Sequence, residues 1–384
     1  MWNIHCLYAM QANDLDQNKF ANFYYHSTGE IVSLTVFGTT IVVLNNKDDA
    51  TNLLDKRSTI YSDRTCPPMI QEPSLLDWGG FGSLVGYGDR WRKYRRLMNP
   101  WLTKQAVASH HGHQERATRK LLQRLLERRQ KYMCSHELEC ELFLSISATL
   151  LHSIYGYEAM TSDDHYLVET QAILSFLAGA ALSSNYLVNI LPILKHVPDW
   201  LPGAGWKRDV IKWRTKKEAL IKDIYIIGLK NMSNNEGAPV MVASLRADAL
   251  EIGLTEDEAD DYVSQIAITM FSGGTDTVSM TLSPFIYLTV NTLIMFFMAM
   301  VLYPDVQKRA QAEIDSMLGH SRLPKVEDRP RLKYVDRVVQ ETLRWGPVTP
   351  IAVPHTCFKD DIYKSYRIPK GAIVMGNVWL GNDL

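Results

Sequence analysis

Residues 277–303 contain no charged side chain. A run of that length exceeds the roughly 20 residues that a helix needs to cross a bilayer, so it either spans a membrane or is enclosed within a large core. The rest of the chain can supply such a core. It has 384 residues, 46% hydrophobic and 22% charged, an ordinary globular balance. On this run alone both destinations stay open.

The formal net charge is −1, which gives no global attraction to nucleic acid and leaves any basic surface a local matter. Five cysteines (Cys6, Cys66, Cys134, Cys140, Cys357) are scattered along the chain. Their odd number and spacing fit neither a disulfide framework nor a zinc site, and a reducing compartment is the simpler setting. The first ten residues are mildly apolar but short, and Asn13, Asp14 and Asp16 follow directly. The expectation is therefore no signal peptide and no N-terminal anchor.

Residues 30–45 read as a β-hairpin, two β-branched runs around a turn that contains Gly38. Helical spacing follows over 48–57 through Ala50, Leu53 and Leu54, and then a Pro- and Gly-containing loop to residue 88, of a length that is commonly functional. From Asp89 onward helix patterns dominate, over 91–98, 105–134, 137–155, 163–182 and 206–231. The segment 192–205, with three prolines and two glycines, reads as a surface loop between helices. Thr255 and Glu258 form a capping box that opens a helix running through Asp276. Further helices are expected over 304–318 and over 332–345, the latter stopped by Gly346-Pro347, and short strands over 362–368 and 372–379. With no internal repeat, the prediction is one mainly helical domain with a small sheet near its N-terminus.

Three motifs bear on chemistry, each with a plainer reading beside it. Glu341 and Arg344 are i,i+3 partners, which on a surface helix contribute a few tenths of a kcal/mol. Leu332, Val335, Val338, Val339 and Leu343 instead suggest a helix buried on one side. Gly273-Gly274-Thr275-Asp276-Thr277 lies at the end of an apolar helix and lacks the lysine of a phosphate loop. Two helical glycines cost about 1 kcal/mol each relative to alanine, so they ask for a reason: close approach of a ligand, or a helix crossing lined by small residues. Asp276 and Thr277 supply an acid and a hydroxyl suited to relaying protons to whatever binds there. Trp91 and Arg95 share one helix face as two donors suited to a carboxylate. Arg90, Arg92, Lys93 and Arg96 around them form either a solvated face or a basic patch that steers an acidic partner.

In order, the sequence runs Tyr-Gly-Asp-Arg-Trp91-Arg-Lys-Tyr-Arg95-Arg, Gly273-Gly274-Thr-Asp276-Thr277, Tyr303-Pro304-Asp, Glu341-Thr-Leu-Arg344-Trp, Pro354-His355 and Ile368-Pro-Lys-Gly371. This series resembles the cytochrome P-450 family, and more closely its fungal group typified by O-methylsterigmatocystin oxidoreductase. The resemblance implies a helical bundle around heme with a small β-sheet. It also implies a heme-thiolate monooxygenase that oxidises an apolar small molecule with O2, its electrons coming from NADPH through a reductase. On matching positions Trp91, Arg95 and His355 bind the heme propionates, and Gly273 and Gly274 lie over the heme face. Asp276 and Thr277 deliver protons to bound oxygen, while Glu341 and Arg344 hold the core behind the heme. The segments 67–81, 176–187 and 348–353 match regions that line the substrate pocket.

The same comparison sets expectations where the chain departs from the family. Its Phe-x-x-Gly-x-Arg-x-Cys-x-Gly loop carries the axial thiolate; none of the five cysteines matches it, so the chain reads as C-terminally truncated. Residues 284–295 read as an insertion of twelve residues. As helix they would add about 18 Å and turn the following face by about 120°, so they are expected to loop out after Pro284 or to break the packing. Attachment to the cytosolic face of the endoplasmic reticulum membrane is carried by the resemblance alone. Beside the monooxygenase stand a catalytically inactive family member and a helical membrane or scaffold protein spanning at 277–303.

Overall fold

The expected hairpin forms. β1 (Ile31–Val36) and β2 (Thr39–Leu44) pair antiparallel in register from Ile31↔Leu44 to Val36↔Thr39. The structure is a computed structural model, and it describes residues 29–36, 38–128, 133–182, 185–231, 240–275, 288–347 and 351–378. After the hairpin a short helix, Lys47–Ala50, capped by the Asn46 side chain, passes into a π-helical stretch, Thr51–Lys56.

Ten longer helices follow: α1 (Asp89–Met98), α2 (His111–Glu127), α3 (Ser135–Tyr155), α4 (His165–Ala181), α5 (Gly205–Asn231), α6 (Met241–Glu251), α7 (Glu256–Thr275), α8 (Leu288–Leu302), α9 (Pro304–Leu318) and α10 (Lys333–Trp345). The sequence patterns anticipate all of them except α6 and α8, and the helix expected over 105–134 is split into Lys104–Ala108 and the shorter α2. α6 buries Met241, Val242, Ala243, Leu245 and Ala249, so apolar residues surround it and it carries no clean stripe. The capping box at α7 is made as expected: the Thr255 N–H donates to Glu258 at 3.0 Å, and the Glu258 N–H donates to the Thr255 hydroxyl at 3.3 Å.

The main core is helical. α3 lies at its centre, packed against α2, α5, α6, α7 and α8, with Leu142, Leu151, Ile154 and Tyr155 closed to solvent. β3 (His355–Thr356), β4 (Asp361–Tyr363), β5 (Tyr366–Ile368) and β6 (Ile373–Gly376) complete the strands. β4 and β5 form their own hairpin. β6 joins β2 in parallel and β3 antiparallel, which gives a four-stranded sheet in the order β1-β2-β6-β3. The small sheet is thus built from both ends of the described chain rather than from the N-terminal hairpin alone. It has its own core of Val42, Leu44, Leu53, Tyr61, Cys357, Tyr363 and Val374.

Two expectations about α8 and α10 change. Residues 288–295, part of the segment read as an insertion, are helical rather than looped out. Val290 is fully buried and Leu293 and Ile294 pack on the main core; residues 284–287 lie outside the described residues. α8 has 15 residues, and among the described residues no single helix is long and apolar enough to cross a membrane. One bent pair, Val290–Leu302 with Pro304–Leu318 at 104°, passes by length and composition. Its second arm is α9, with Asp305, Lys308, Arg309, Glu313 and Asp315, so it makes a poor span. On α10 the buried positions are Val338 and Thr342, against α8 and α9, whereas Val339 and Leu343 point outward and are about half exposed.

Candidate active site

α1 starts with an acid, Asp89, and ends with Arg95 and Arg96, a charge order that complements the helix dipole. Tyr94 and Leu97 anchor one face in the core. On another face Arg95 lies 5.2 Å from the centroid of the Trp91 ring, a cation–π arrangement that holds both donors on one side. Among the described residues neither the Trp91 N–H nor the Arg95 guanidinium has a hydrogen-bond partner in the protein.

His355, on β3, meets this pair from the sheet. Its Nδ1 is 2.6 Å from the Tyr61 carbonyl; the carbonyl can only accept, so Nδ1 carries the proton and Nε2 is left available. Burial first, and then Arg64 and Arg95, push the His355 pKa down to about 4. The imidazole is therefore neutral at pH 7. Arg64 is a member of the cluster that sequence reading missed. Its guanidinium donates to the Val353 carbonyl at 3.2 Å and also to the Pro354 carbonyl. Burial and the nearby Arg95 bring its pKa down to about 10, with Asp63 offsetting part of the effect. The Asp63 carboxylate itself accepts the Tyr87 N–H at 2.9 Å.

Two guanidiniums and an imidazole thus converge, and among the described residues no carboxylate forms an ion pair with either guanidinium. Like charges gathered without a counter-ion destabilise the cluster. The arrangement is complementary to a dianion, which would be met by charge-assisted bonds from both arginines. The motif around Arg64 gave no signal by itself. Only the meeting of segments 57–65 and 353–358 reveals it.

α7 supplies a second surface. Val263, Ile266, Ala267, Ile268, Phe271 and Ser272 are buried, yet a methyl group built at Gly273 would meet nothing within 4 Å among the described residues. Gly274 follows within α7, whereas Asp276 and Thr277 lie outside the described residues. The two surfaces are joined by one loop: the Gly82 N–H donates to Thr269 on α7 at 2.8 Å, and the Tyr87 ring lies 5.2 Å from Trp91 on α1.

The remaining expected residues fall differently. Glu341 and Arg344 form a bidentate pair at 2.6 and 2.8 Å, but their side chains are 60% and 45% exposed, because α10 turns this face away from α8 and α9. Arg90 leaves the basic patch: it is drawn inward onto Tyr94 and pairs with Asp261 at 2.9 Å. Arg92 pairs with Asp89, and Lys93 and Arg96 stay on the surface. Among the described cysteines, Cys66 is buried with its thiol pushed up to about 12, and Cys357 donates its S–H to the Lys359 carbonyl at 2.8 Å. Cys134 and Cys140 lie at the start of α3. Among the described residues no three His, Cys, Asp or Glu side chains gather as a metal site.

The Cytochrome P450 family profile matches residues 2–382. The chain belongs to the cytochrome P450 family. Among its curated relatives are cytochrome P450 monooxygenase 58 of Postia placenta, 36% identical over 92% of this chain and 63% of the relative. A cytochrome P450 monooxygenase of Armillaria gallica is 34% identical over 91% of this chain and 65% of the relative. The chain therefore spans a little under two thirds of the length of these relatives. A zebrafish cytochrome P450 solved with progesterone superposes with a TM-score of 0.74 over 96% of this chain and 80% of its own, at 19% identity. It shares the fold. The family implies a heme cofactor.

Proposed function

We propose that this P450 chain works as a heme-dependent monooxygenase on an apolar small molecule, with electrons derived from NADPH through a reductase. The observation that carries the reading is the convergence of Arg64, Arg95 and His355, where among the described residues no carboxylate forms an ion pair with either guanidinium. When bound, the heme would supply oxygen activation. The chain's own residues perform the remaining tasks. Trp91, Arg64 and Arg95 would hold the propionates, and His355, neutral and fixed through Nδ1, would offer Nε2 to the same side. Gly273 leaves room against α7, Gly274 lies beside it, and Asp276 and Thr277 relay protons into the site. Phe271 and the rest of α7 keep water away from its inner face.

Two surface features support the partners. Lys93 and Arg96 remain on α1 as a small basic surface for a reductase. Leu187, Leu191, Ile193 and Trp200 are all exposed within residues 187–200, Trp200 at 78%, which suits contact with a membrane surface and with it the cytosolic face of the endoplasmic reticulum.

The test is heme titration of the wild-type chain and of Arg64→Gln and Arg95→Gln, followed by the growth of the Soret band. Losing one charge-assisted bond is expected to weaken heme binding by about 10- to 150-fold. Unchanged affinity in both variants would remove the basis of the reading. Heme loading with no oxidation of any apolar substrate, reductase present, would favour the inactive family member.

A further inference from the structure

Lys217 is a lysine in the wrong place for a surface helix. It lies in the middle of α5 and is 3% exposed, and among the described residues it forms no ion pair. Its ammonium donates to the main-chain carbonyls of Leu76 at 3.0 Å and Asp77 at 2.5 Å, and lies 5.6 Å from the centroid of the Trp78 ring. Burial keeps its pKa below the usual lysine value; Asp77 and Glu218 oppose this and Arg214 adds to it. A buried cation of this kind persists only if its donors are used.

What Lys217 holds is a turn under strain. Asp77 has φ +52°, the left-handed conformation that side chains other than glycine rarely adopt. The two carbonyls of this turn converge on the ammonium. Three N–H donors of a tetrahedral head can meet two convergent carbonyls and leave one over a ring face, which a planar guanidinium fork does less well.

The rest of the segment 72–82 is strung between two supports. On the α5 side Arg214 donates to the Pro73 carbonyl at 2.6 Å and Lys195 pairs with Glu72 at 2.9 Å. On the other side Tyr94 donates to the Gly80 carbonyl at 2.9 Å, and the Gly82 N–H donates to Thr269, one helical turn before Gly273. Outside lies a cleft of about 650 Å³ whose lining includes Asp77, Gly80, Arg90, Lys217 and Asp261. Inside lie Leu75, Leu76, Trp78 and Phe81, all buried. A single thickness of chain separates the cleft from the apolar interior beside α7.

We propose that Lys217 is a positioning residue for substrate selectivity. By gripping the Leu76 and Asp77 carbonyls it fixes Trp78 and Phe81 within the segment whose Gly80 and Gly82 press against Gln265 and Thr269 of α7, and so shapes the wall against which an apolar substrate lies. The proposal rests on the monooxygenase reading for the meaning of that wall. α5 does not need Lys217 for its own packing, because Val210, Leu220, Ile221 and Ile224 bury it independently. Loss of the ammonium is therefore expected to free the segment rather than the helix.

The experiment compares wild type with Lys217→Met, which keeps the length of the side chain, with Lys217→Arg, and with Lys222→Met, which removes another cation from the same cleft. Hydrogen exchange read by mass spectrometry is expected to rise about tenfold in peptides covering 75–82 of Lys217→Met, with peptides from α5 unchanged. Lys222→Met is expected to behave as wild type, and Lys217→Arg to restore protection only in part. Affinities for naphthalene, anthracene and pyrene, followed by tryptophan fluorescence, are expected to change their ranking in Lys217→Met. Unchanged exchange at 75–82, or a rise spread evenly over the chain, would overturn the clamp whatever the probes do. Faster local exchange with the same ranking of the three probes would overturn the selectivity role. A wild-type chain that binds none of the probes counts against the functional reading, and with it the pocket half of this proposal.

Discussion

Replacing His355 with glutamine should make the fold less sensitive to acid, and the size of the effect follows from the cluster that surrounds the imidazole. An unfolded histidine titrates near 6.5, while burial, Arg64 and Arg95 bring His355 down to about 4 in the folded chain. Between those values the unfolded state binds the proton and the folded state does not, so stability falls as pH falls. The stabilisation is present above the unfolded pKa and is lost through the window from about pH 6.5 down to about pH 4. Linkage puts the loss between pH 7 and pH 4.5 at about 2 kcal/mol, and its full value below pH 4 at about 3 kcal/mol.

Urea denaturation at the two pH values, for wild type and His355→Gln, isolates this contribution. Every other titrating group, His113 and the carboxylates included, is common to both proteins and cancels in the difference. Glutamine can still donate an N–H to the Tyr61 carbonyl, so the pH 7 stabilities are expected to differ little. The wild type should lose about 2 kcal/mol more than the variant on acidification. Equal losses in the two proteins would mean that His355 is not held neutral by its cationic neighbours, and would undermine the picture of an uncompensated cradle.

Other consequences are simpler to state. Gly273→Ala places a methyl group where it meets none of the described residues within 4 Å, so it should raise helix stability by up to about 1 kcal/mol while weakening the binding of pyrene; an unchanged affinity would argue against a ligand face there. Deleting residues 284–295 removes Val290, Leu293 and Ile294 from the main core and is expected to lower the urea midpoint. A higher midpoint, with better protease resistance, would support an inserted, dispensable segment instead. Thr277→Ala, in a preparation that turns over, should raise peroxide release per product formed; tight coupling in that variant would remove Thr277 from the proton relay.

Local chemistry in the sequence was a good guide wherever a helix had one wet and one dry side. The Thr255 and Glu258 box, the α9 bounds and the Trp91 and Arg95 pairing all follow from residues three or four apart. Long-range closure was not legible. The parallel pairing of β2 with β6 joins Ile41 to Ile373, and nothing in either strand names its partner. Arg90 carried the same signal as its neighbours, but Tyr94, Tyr262 and Asp261 draw it inward. On α10, Val339 and Leu343 are apolar enough to suggest burial, but their face has no packing partner among the described residues. Arg64 shows the limit most clearly. Its role comes from the meeting of two segments nearly 300 positions apart, not from its own surroundings in the chain.

Those two segments also form a seam within the core of the small sheet. Across it Arg57 and Tyr61 bind Asp361 at 2.8 and 2.9 Å, the Thr356 N–H donates to the Asp63 carbonyl, and the Phe358 N–H donates to the Ile60 carbonyl. Arg64 and His355 lie in the same seam, so the like charges that invite a dianion also push its two sides apart. Binding of a dianion would remove the repulsion, and anything that binds only the folded state stabilises it by mass action. The coupling has a sign that can be read. With negative charge beside the arginines, the His355 pKa should move back toward its ordinary value, and the acid loss of stability should shrink in heme-loaded protein. Urea midpoints of loaded wild type at pH 7 and pH 4.5 should therefore lie closer together than those of the free chain. If loading stabilises the fold equally at both pH values, the ligand does not sit against His355, and the propionate assignment of this cluster fails.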